Sequence, residues 1–364
     1  MALVYNQPPV VSNKIHHSIA KRAGRSTVSS SAVLSCTLTQ QKEAPMLRAI
    51  GAYKEVFARA YENKAAREAR QALPHKIKLY GTGGGSRCVR IAAMLEVLAG
   101  FELINIFSEI DAISGAGGPA VGYATGYADK TLALFIELVK RGVIYREPFG
   151  WKQISIKVVP KINIELYEKI LSANIDNERL VAYPGEIHVI AARRDGSRVR
   201  LNLKDDNSAA KYIAASSALP YACDGVDVAN YGKLYDGLCA GRVIPHEDND
   251  GGADNILVLQ SHSHINSLFD TYGWPLLIDN AFKTWPDEFK NNLRNLDDEF
   301  KKTDGYLQRL SEGGTINYAR IAPSEKALNI GPLETDHELL EKVADETRCA
   351  MRDLLVACKS ARWI

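Results

Sequence analysis

Apolar residues recur along the chain both in short continuous runs and in stripes with a spacing of about 3.6 residues, the period of an α-helix. Between residues 44 and 73 such a stripe predicts one helix, which ends before Pro74. Residues 76–80 form a short β-like run that leads directly into the glycine-rich segment 81–85, and residues 87–98 return to helical spacing. The pattern therefore predicts a strand, a glycine loop and a helix in direct succession.

A second strand, turn and helix follow the first. Residues 110–114 are typical of a buried strand, residues 115–118 of a tight turn, and Pro119 begins a helix that runs towards Tyr127. The pattern continues with strands predicted at 187–192, 199–203, 231–235 and 256–259, and helices at 128–141, 164–173, 209–217, 287–302 and 334–359. Strands that alternate with helices predict an α/β fold, in which helices cover both faces of a mainly parallel central sheet.

Composition narrows the class of protein. The chain has 364 residues with 46% hydrophobic content, enough for one large α/β domain or two smaller ones. A formal net charge of +2 at pH 7 gives no field that attracts nucleic acid, so no nucleic-acid partner is predicted. The six cysteines contain no C-x-x-C pair, and we predict no disulfide. No run approaches the roughly 20 apolar residues that span a bilayer, which predicts a soluble, cytoplasmic protein without a transmembrane segment.

The first 42 residues differ from the rest of the chain, since they contain several basic residues and no acidic one. Their serine-rich composition is typical of an organelle transit peptide or a secretion leader, and equally of a disordered tail without a targeting signal. We therefore divide the chain into a leader over residues 1–43, an N-terminal helix over 44–74 and a main domain over 75–364.

The segment 81–85 (GTGGG) has the composition of an anion-binding loop. Glycine allows positive φ angles and close approach, so several backbone N–H groups can converge there on an anion or an oxyanion. A dinucleotide site needs G-x-G-x-x-G and a P-loop needs Gly-Lys-Ser/Thr, and the segment supplies neither. We therefore predict no bound cofactor. A turn whose glycines serve packing alone remains the alternative.

Histidines and acidic residues offer two weaker signals. His262 and His264 share a predicted strand face, with His246 nearby, but no third ligand has the spacing of a zinc site. The run from His246 to Gly252 lacks the ligand spacing and the terminal Glu of a calcium loop. We predict ordinary polar histidines, a solvated loop and no metal.

Four segments, in order and in spacing, resemble the patatin-like phospholipases. They are 78–88 (KLYGTGGGSRC), 113–118 (ISGAGG), 215–220 (ASSALP) and 235–237 (YDG). With the C-terminal strand and helix, the resemblance covers roughly residues 76–355. It implies a three-layer α/β/α fold that hydrolyses lipid acyl esters with a Ser-Asp dyad. It also implies a lipid or acyl-ester ligand and peripheral membrane contact, and it leaves a protein partner open.

The resemblance assigns the site residue by residue. The oxyanion loop falls on Gly83, Gly84, Gly85 and Arg87, the aspartate on Asp236, and the serine of the G-x-S-x-G elbow on Gly117. Pro119 and Cys88 also stand where the family has glycine. An elbow nucleophile has a strained backbone that suits glycine, so the turn can survive while the attacking oxygen is lost. We therefore predict a catalytically impaired protein that binds a lipid or a partner.

Alternatives with catalytic activity stay open. In one, Asp236 orients a water or serves a substitute nucleophile; in another, Gly117 is an engineered replacement for serine. Ser114 and Ser86 flank the two loops, but strand alternation predicts that Ser114 points away from the elbow tip, and Ser86 is predicted to cap the following helix. In a protein without catalysis, Asp236 is a structural carboxylate that accepts backbone hydrogen bonds.

Overall fold

Eleven strands and ten α-helices are formed by the residues that the computed structural model describes, 46–145, 161–205, 208–220, 222–241, 254–263 and 282–360. The strands are β1 (Leu47–Gly51), β2 (Ile77–Gly81), β3 (Glu109–Ile113), β4 (Ile144–Tyr145), β5 (Lys161–Ile162), β6 (Glu186–Arg193), β7 (Arg198–Asn202), β8 (Val226–Val228), β9 (Gly232–Asp236), β10 (Asn255–Leu259) and β11 (Asn317–Pro323). The helices are α1 (Tyr53–Glu68), α2 (Val89–Gly100), α3 (Gly117–Ala124), α4 (Ala128–Lys140), α5 (Ile164–Asn174), α6 (Asn177–Ala182), α7 (Ala209–Ser216), α8 (Asp287–Arg294), α9 (Leu296–Glu312) and α10 (His337–Ser360).

Nine of these strands form one central sheet, and β4 and β5 pair with each other. The order across the sheet is β1, β11, β10, β2, β3, β6, β9, β8, with β7 also paired to β6. The neighbours from β11 to β6 run parallel, and β1, β7, β8 and β9 are antiparallel to their partners. The predicted parallel sheet is thereby confirmed in the middle of the fold, where the carboxyl ends of neighbouring strands lie at one edge.

Alternating side chains of the central strands face two helical layers. Leu79 and Ala112 point to one face, where they belong to the largest hydrophobic cluster, shared with α1 to α7 and α10. Tyr80 and Ile113 point to the other face and pack with residues of α9. The result is the three-layer α/β/α arrangement that the sequence predicted.

The predicted helix over residues 44–74 is wrong in its first part. Leu47–Gly51 forms the edge strand β1, antiparallel to β11, and the helix begins only at Tyr53. Gly51 has a φ of 77°, and a Cβ there would lie 2.3 Å from the carbonyl oxygen of Tyr318. Pairing with a strand distant in sequence therefore overrides the local helical spacing, and a glycine turns the chain into the helix.

Some predictions concern residues outside the described ranges. The leader over 1–43, the acidic run after His246, and His264 all lie there. Among the helices that the structure does describe, none is both long and apolar enough to cross a membrane.

Candidate active site

The glycine loop follows the carboxyl end of β2, between the parallel neighbours β10 and β3. Thr82 ties the loop to β10, because its N–H donates to the Leu259 carbonyl at 3.0 Å. Gly85 has a φ of 57°, and a Cβ on it would lie 2.0 Å from the carbonyl oxygen of Pro332. Glycine is the residue that fits both this conformation and this close approach.

The amides of Gly83 and Gly84 donate no hydrogen bond to any described residue. A Cβ on Gly83 would lie 3.1 Å from Ser114 Cβ and 3.3 Å from Leu238 Cγ. The loop therefore lies against the end of β3 and against the segment that follows Asp236. Backbone donors in this position are suited to hold an oxyanion.

Arg87, predicted as part of the oxyanion loop, is buried and fixes the loop to the C-terminal segment. Its Nε donates to the Ile330 carbonyl at 2.7 Å. Ser86 makes a similar connection, since its hydroxyl donates to the Glu334 carbonyl at 2.9 Å. The prediction that Ser86 caps the following helix is wrong, because its hydroxyl bonds a segment far away in sequence. Both side chains therefore connect the loop to the segment before α10.

Ser114 lies at the bend between β3 and α3 and has a φ of 55°. Its N–H donates to the Ser216 hydroxyl at 2.8 Å, and that hydroxyl donates to the Ile190 carbonyl at 2.5 Å. A positive φ costs a non-glycine residue about 1–3 kcal/mol, so the surrounding structure has to hold Ser114 in this conformation.

Gly117, the predicted position of the missing nucleophile, does not lie at this bend. It is the first residue of α3 and has ordinary helical angles, φ −61° and ψ −43°. A Cβ on it would lie 3.0 Å from Val189 and 3.1 Å from Ile213, which are both core residues. A side chain at Gly117 would therefore enter the hydrophobic core, and the residue with a positive φ at the bend is Ser114.

Strand pairing brings Asp236 to the end of β3. Along one edge of β6, residues 188–192 pair with β7. Two strands share the other edge of β6. β3 pairs with it as far as Ile190, and β9 pairs with it from Ala191 onwards, where Asp236 is the partner of Ala191. β3 stops pairing with this edge of β6 just before Ser114. Asp236 therefore occupies the next pairing position along the same edge, directly after the end of β3.

Asp236 is fully buried, and its Oδ1 accepts the Leu238 N–H at 2.9 Å. Oδ2 is also buried, and within the described ranges it makes no hydrogen bond of regular length. Burial raises the pKa of Asp236 to about 7, while hydrogen bonding from the Ser114 side chain and the Leu238 N–H opposes this rise. The Ser114 side chain therefore lies near enough to the carboxylate to lower its pKa.

An apolar cavity opens beside Ser114, and Gly85 of the loop is among the residues that line it. Most of its wall is apolar and comes from α4, β4, β5, α5 and the segments after α7 and before α10: Phe135, Leu138, Val139, Val143, Ile144, Ile162, Tyr167, Leu219 and Leu333. Such a lining suits a hydrocarbon chain, because binding removes apolar surface from water. Ser114 is buried and borders this cavity of about 60 Å³.

A cluster of charged side chains, missed from the sequence, lies within the strands rather than at their ends. The Lys78 ammonium contacts Glu109 at 2.6 Å and Asp111 at 3.3 Å, and Arg200 contacts Asp111 at 2.9 Å. Glu109, Asp111 and His188 are close enough together to bind a metal ion. The two cationic side chains already neutralise the two carboxylates, so this geometry favours an ion-pair network.

No protein-family model and no curated protein matches the chain. Among solved structures, VipD from Legionella pneumophila aligns at 12% identity over 88% of this chain and 72% of its own, with a TM-score of 0.33. Human GIVD cytosolic phospholipase A2 in complex with methyl gamma-linolenyl fluorophosphonate aligns at 10% identity over 88% of this chain and 66% of its own, with a TM-score of 0.38. The chain thus spans just under two thirds of the human enzyme. These likenesses concern the fold alone.

Proposed function

We propose that the protein is a serine acyl hydrolase, with Ser114 as the nucleophile and Asp236 as the general base. The observation that carries the proposal is a serine held at a φ of 55° beside a buried carboxylate. Backbone strain persists only where the surrounding structure enforces it, and it is concentrated at active sites. Here the hydrogen bonds from Ser114 through Ser216 to β6 enforce it.

The reaction has two halves. As Ser114 Oγ bonds to the ester carbonyl carbon, Asp236 accepts the hydroxyl proton and an electron pair moves onto the carbonyl oxygen. When the carbonyl re-forms, the C–O bond to the alcohol breaks and Asp236 gives the proton to the leaving oxygen. Water then attacks the acyl-serine with Asp236 again as base, which releases the carboxylic acid and the serine.

The amides of Gly83 and Gly84 are the proposed donors to the oxyanion. Their loop packs against Ser114, and neither amide has a partner among the described residues. Donors fixed before the reaction stabilise developing charge without reorganisation. Arg87 acts from behind the loop and does not touch the substrate, because its Nε bonds the Ile330 carbonyl.

The proposed substrate is an ester with an apolar acyl chain. The cavity beside Ser114 supports this choice, because its wall is mostly hydrocarbon. The four motifs that resemble patatin-like phospholipases add that the ester is a lipid ester. The proposed chemistry needs only side chains and backbone amides.

The catalytically impaired alternative depended on Gly117 as the position of the nucleophile. Since a side chain there would meet Val189 and Ile213, its missing hydroxyl does not bear on the pair of Ser114 and Asp236. A binding function without hydrolysis also gives no reason for a strained serine against a buried carboxylate. The alternative with a substitute nucleophile is therefore the one we adopt.

A fluorophosphonate probe tests the proposal, since an activated serine attacks its phosphorus and displaces fluoride. We expect label on the peptide that contains Ser114, no label in Ser114→Ala, and ester hydrolysis slowed at least about 100-fold in Asp236→Asn. Ser108→Ala is the matched control, because its hydroxyl bonds the Ile77 carbonyl at the start of β2. Label at Ser86, or undiminished hydrolysis in Ser114→Ala, would contradict the assignment.

A further inference from the structure

A serine and a histidine follow β10 and lie directly behind the glycine loop. Both Ser261 and His262 are buried. The Ser261 hydroxyl lies 2.6 Å from the Gly83 carbonyl oxygen and 2.7 Å from His262 Nδ1. Neither side chain lines the apolar cavity beside Ser114. Any effect of this pair on catalysis therefore passes through the loop.

Two further hydrogen bonds hold Ser261 in place. Its N–H donates to the Thr82 hydroxyl at 3.1 Å, and its carbonyl accepts from Arg90 at 3.2 Å. On the other side, a Cβ on Gly84 would lie only 2.3 Å from the Ser261 hydroxyl oxygen. The loop backbone thus packs against a serine whose own backbone is fixed.

The hydrogen bonds of Ser261 define the tautomer of His262. A hydroxyl has one proton to donate, and a carbonyl can only accept. Because the Ser261 proton goes to the Gly83 carbonyl, the bond to His262 is donated by Nδ1–H. Donation therefore runs in one direction, from His262 through Ser261 to Gly83.

This chain of bonds sets the direction of the next amide in the loop. In a planar trans peptide, the C=O of one residue and the N–H of the next point to opposite sides. When the Gly83 carbonyl is held on Ser261, the Gly84 N–H must point away from Ser261. That N–H is one of the two loop donors without a partner among the described residues.

We propose that Ser261 and His262 are positioning residues, which aim the Gly84 N–H at the oxyanion formed when Ser114 attacks an ester. The inference rests on the proposed hydrolase function. An oriented donor stabilises the transition state more than the bound ester, so its misalignment lowers kcat more than it changes KM.

The test is steady-state hydrolysis of p-nitrophenyl butyrate by the full chain and its variants. We expect Ser261→Ala and His262→Leu to lower kcat about 10-fold and to leave KM within about 2-fold, a smaller loss than removal of an oxyanion donor causes. His262→Asn keeps an N–H near the position of Nδ1, so it should restore most of the lost rate. Ser324→Ala is the matched control, since Ser324 follows the neighbouring strand β11 and its hydroxyl accepts the Lys326 N–H.

The outcomes separate the positioning role from the proposed function. Unchanged kcat in Ser261→Ala, or equal losses in His262→Asn and His262→Leu, would overturn the positioning role while Ser114 still takes the fluorophosphonate label. Absence of that label in the unmodified chain would overturn the hydrolase function and this inference with it. The nitrogen NMR signals of the His262 ring, assigned by their loss in His262→Asn, give a second readout: protonation at Nε2 alone would refute the order of donation.

Discussion

The ionisation of Asp236 controls, at the scale of single residues, how the candidate site responds to pH. Burial raises its pKa to about 7, because the charged form loses its hydration. The buried thiols of Cys88 and Cys239 stay neutral in that range, since burial raises their pKa as well. The carboxylate can take the Ser114 proton only when it is ionised. In the proposed mechanism, its titration therefore separates an inactive from an active form.

We expect kcat/KM for ester hydrolysis to rise with pH and to level off above about pH 7. The sign follows because a general base must be deprotonated, and the raised pKa moves the ascending limb above the usual carboxyl range of about 4. A profile of kcat/KM against pH with p-nitrophenyl butyrate measures it. An ascending limb centred near pH 4 would show that Asp236 is not the base in its buried setting.

Gly117 and Gly118 provide a matched pair for the position of the elbow. Gly117→Ser should lower the free energy of unfolding by about 1–3 kcal/mol, because its Cβ would lie 3.0 Å from Val189 and 3.1 Å from Ile213. It should add no hydrolysis. Gly118→Ser should be nearly neutral, since its Cβ would lie 3.9 Å from its nearest neighbours. Urea unfolding and an ester assay measure both variants. A gain of activity in Gly117→Ser would support Gly117 as the position of the nucleophile.

Local sequence was sufficient to place Asp236 and the loop glycines directly after strands, but not to locate the strained bend at Ser114. The aspartate and the glycines directly follow apolar runs, and that is a local signal. The elbow was aligned by its glycines, whereas its bend is determined by the end of pairing with β6 and by Ser216, far away in sequence. One usable signal was present, because Ser114 is the first polar residue after the apolar end of β3.

At the scale of elements, the last residue of α7, Ser216, accepts the hydrogen bond that holds the bend at Ser114. Ser216→Ala would leave the buried Ser114 N–H without its acceptor, so we expect a loss of about 1–3 kcal/mol in unfolding free energy and a lower kcat. Ser217→Ala is the control for stability, because the Ser217 hydroxyl makes no regular hydrogen bond in the described part of the chain. Equal destabilisation of the two variants in urea unfolding would contradict the bracing role.

Strands with a buried apolar run were predicted, whereas the edge strand β1 was predicted as part of a helix. The apolar runs of β2, β3, β6 and β10 are buried on both faces, and such runs show in the sequence. The strand β1 has a residue spacing compatible with a helix, and only its pairing with β11 makes it a strand. The spacing of apolar residues in β1 does not indicate a strand partner that lies more than half the chain away.

At the scale of the whole molecule, the site depends on register as well as on fold class. An alternating pattern was sufficient to predict a parallel sheet, and a parallel sheet places the β2 loop and the β3 bend at one edge. The division of one edge of β6 between β3 and β9 is a matter of register, and no pattern in the sequence shows it. That division is what brings the carboxylate of Asp236 to the serine.

The cavity beside Ser114 also draws on distant parts of the chain, and adjacent residues of β4 test its role. Ile144 lines the cavity, whereas Tyr145 does not line it and is exposed. We expect Ile144→Trp to lower the ratio of kcat/KM for p-nitrophenyl octanoate to kcat/KM for p-nitrophenyl acetate at least about 10-fold. The larger side chain would fill the space that the outer carbons of the octanoyl chain occupy. Tyr145→Trp should leave that ratio unchanged. If Ile144→Trp leaves it unchanged too, the acyl chain lies elsewhere, and the cavity would have to hold the alcohol part of the ester.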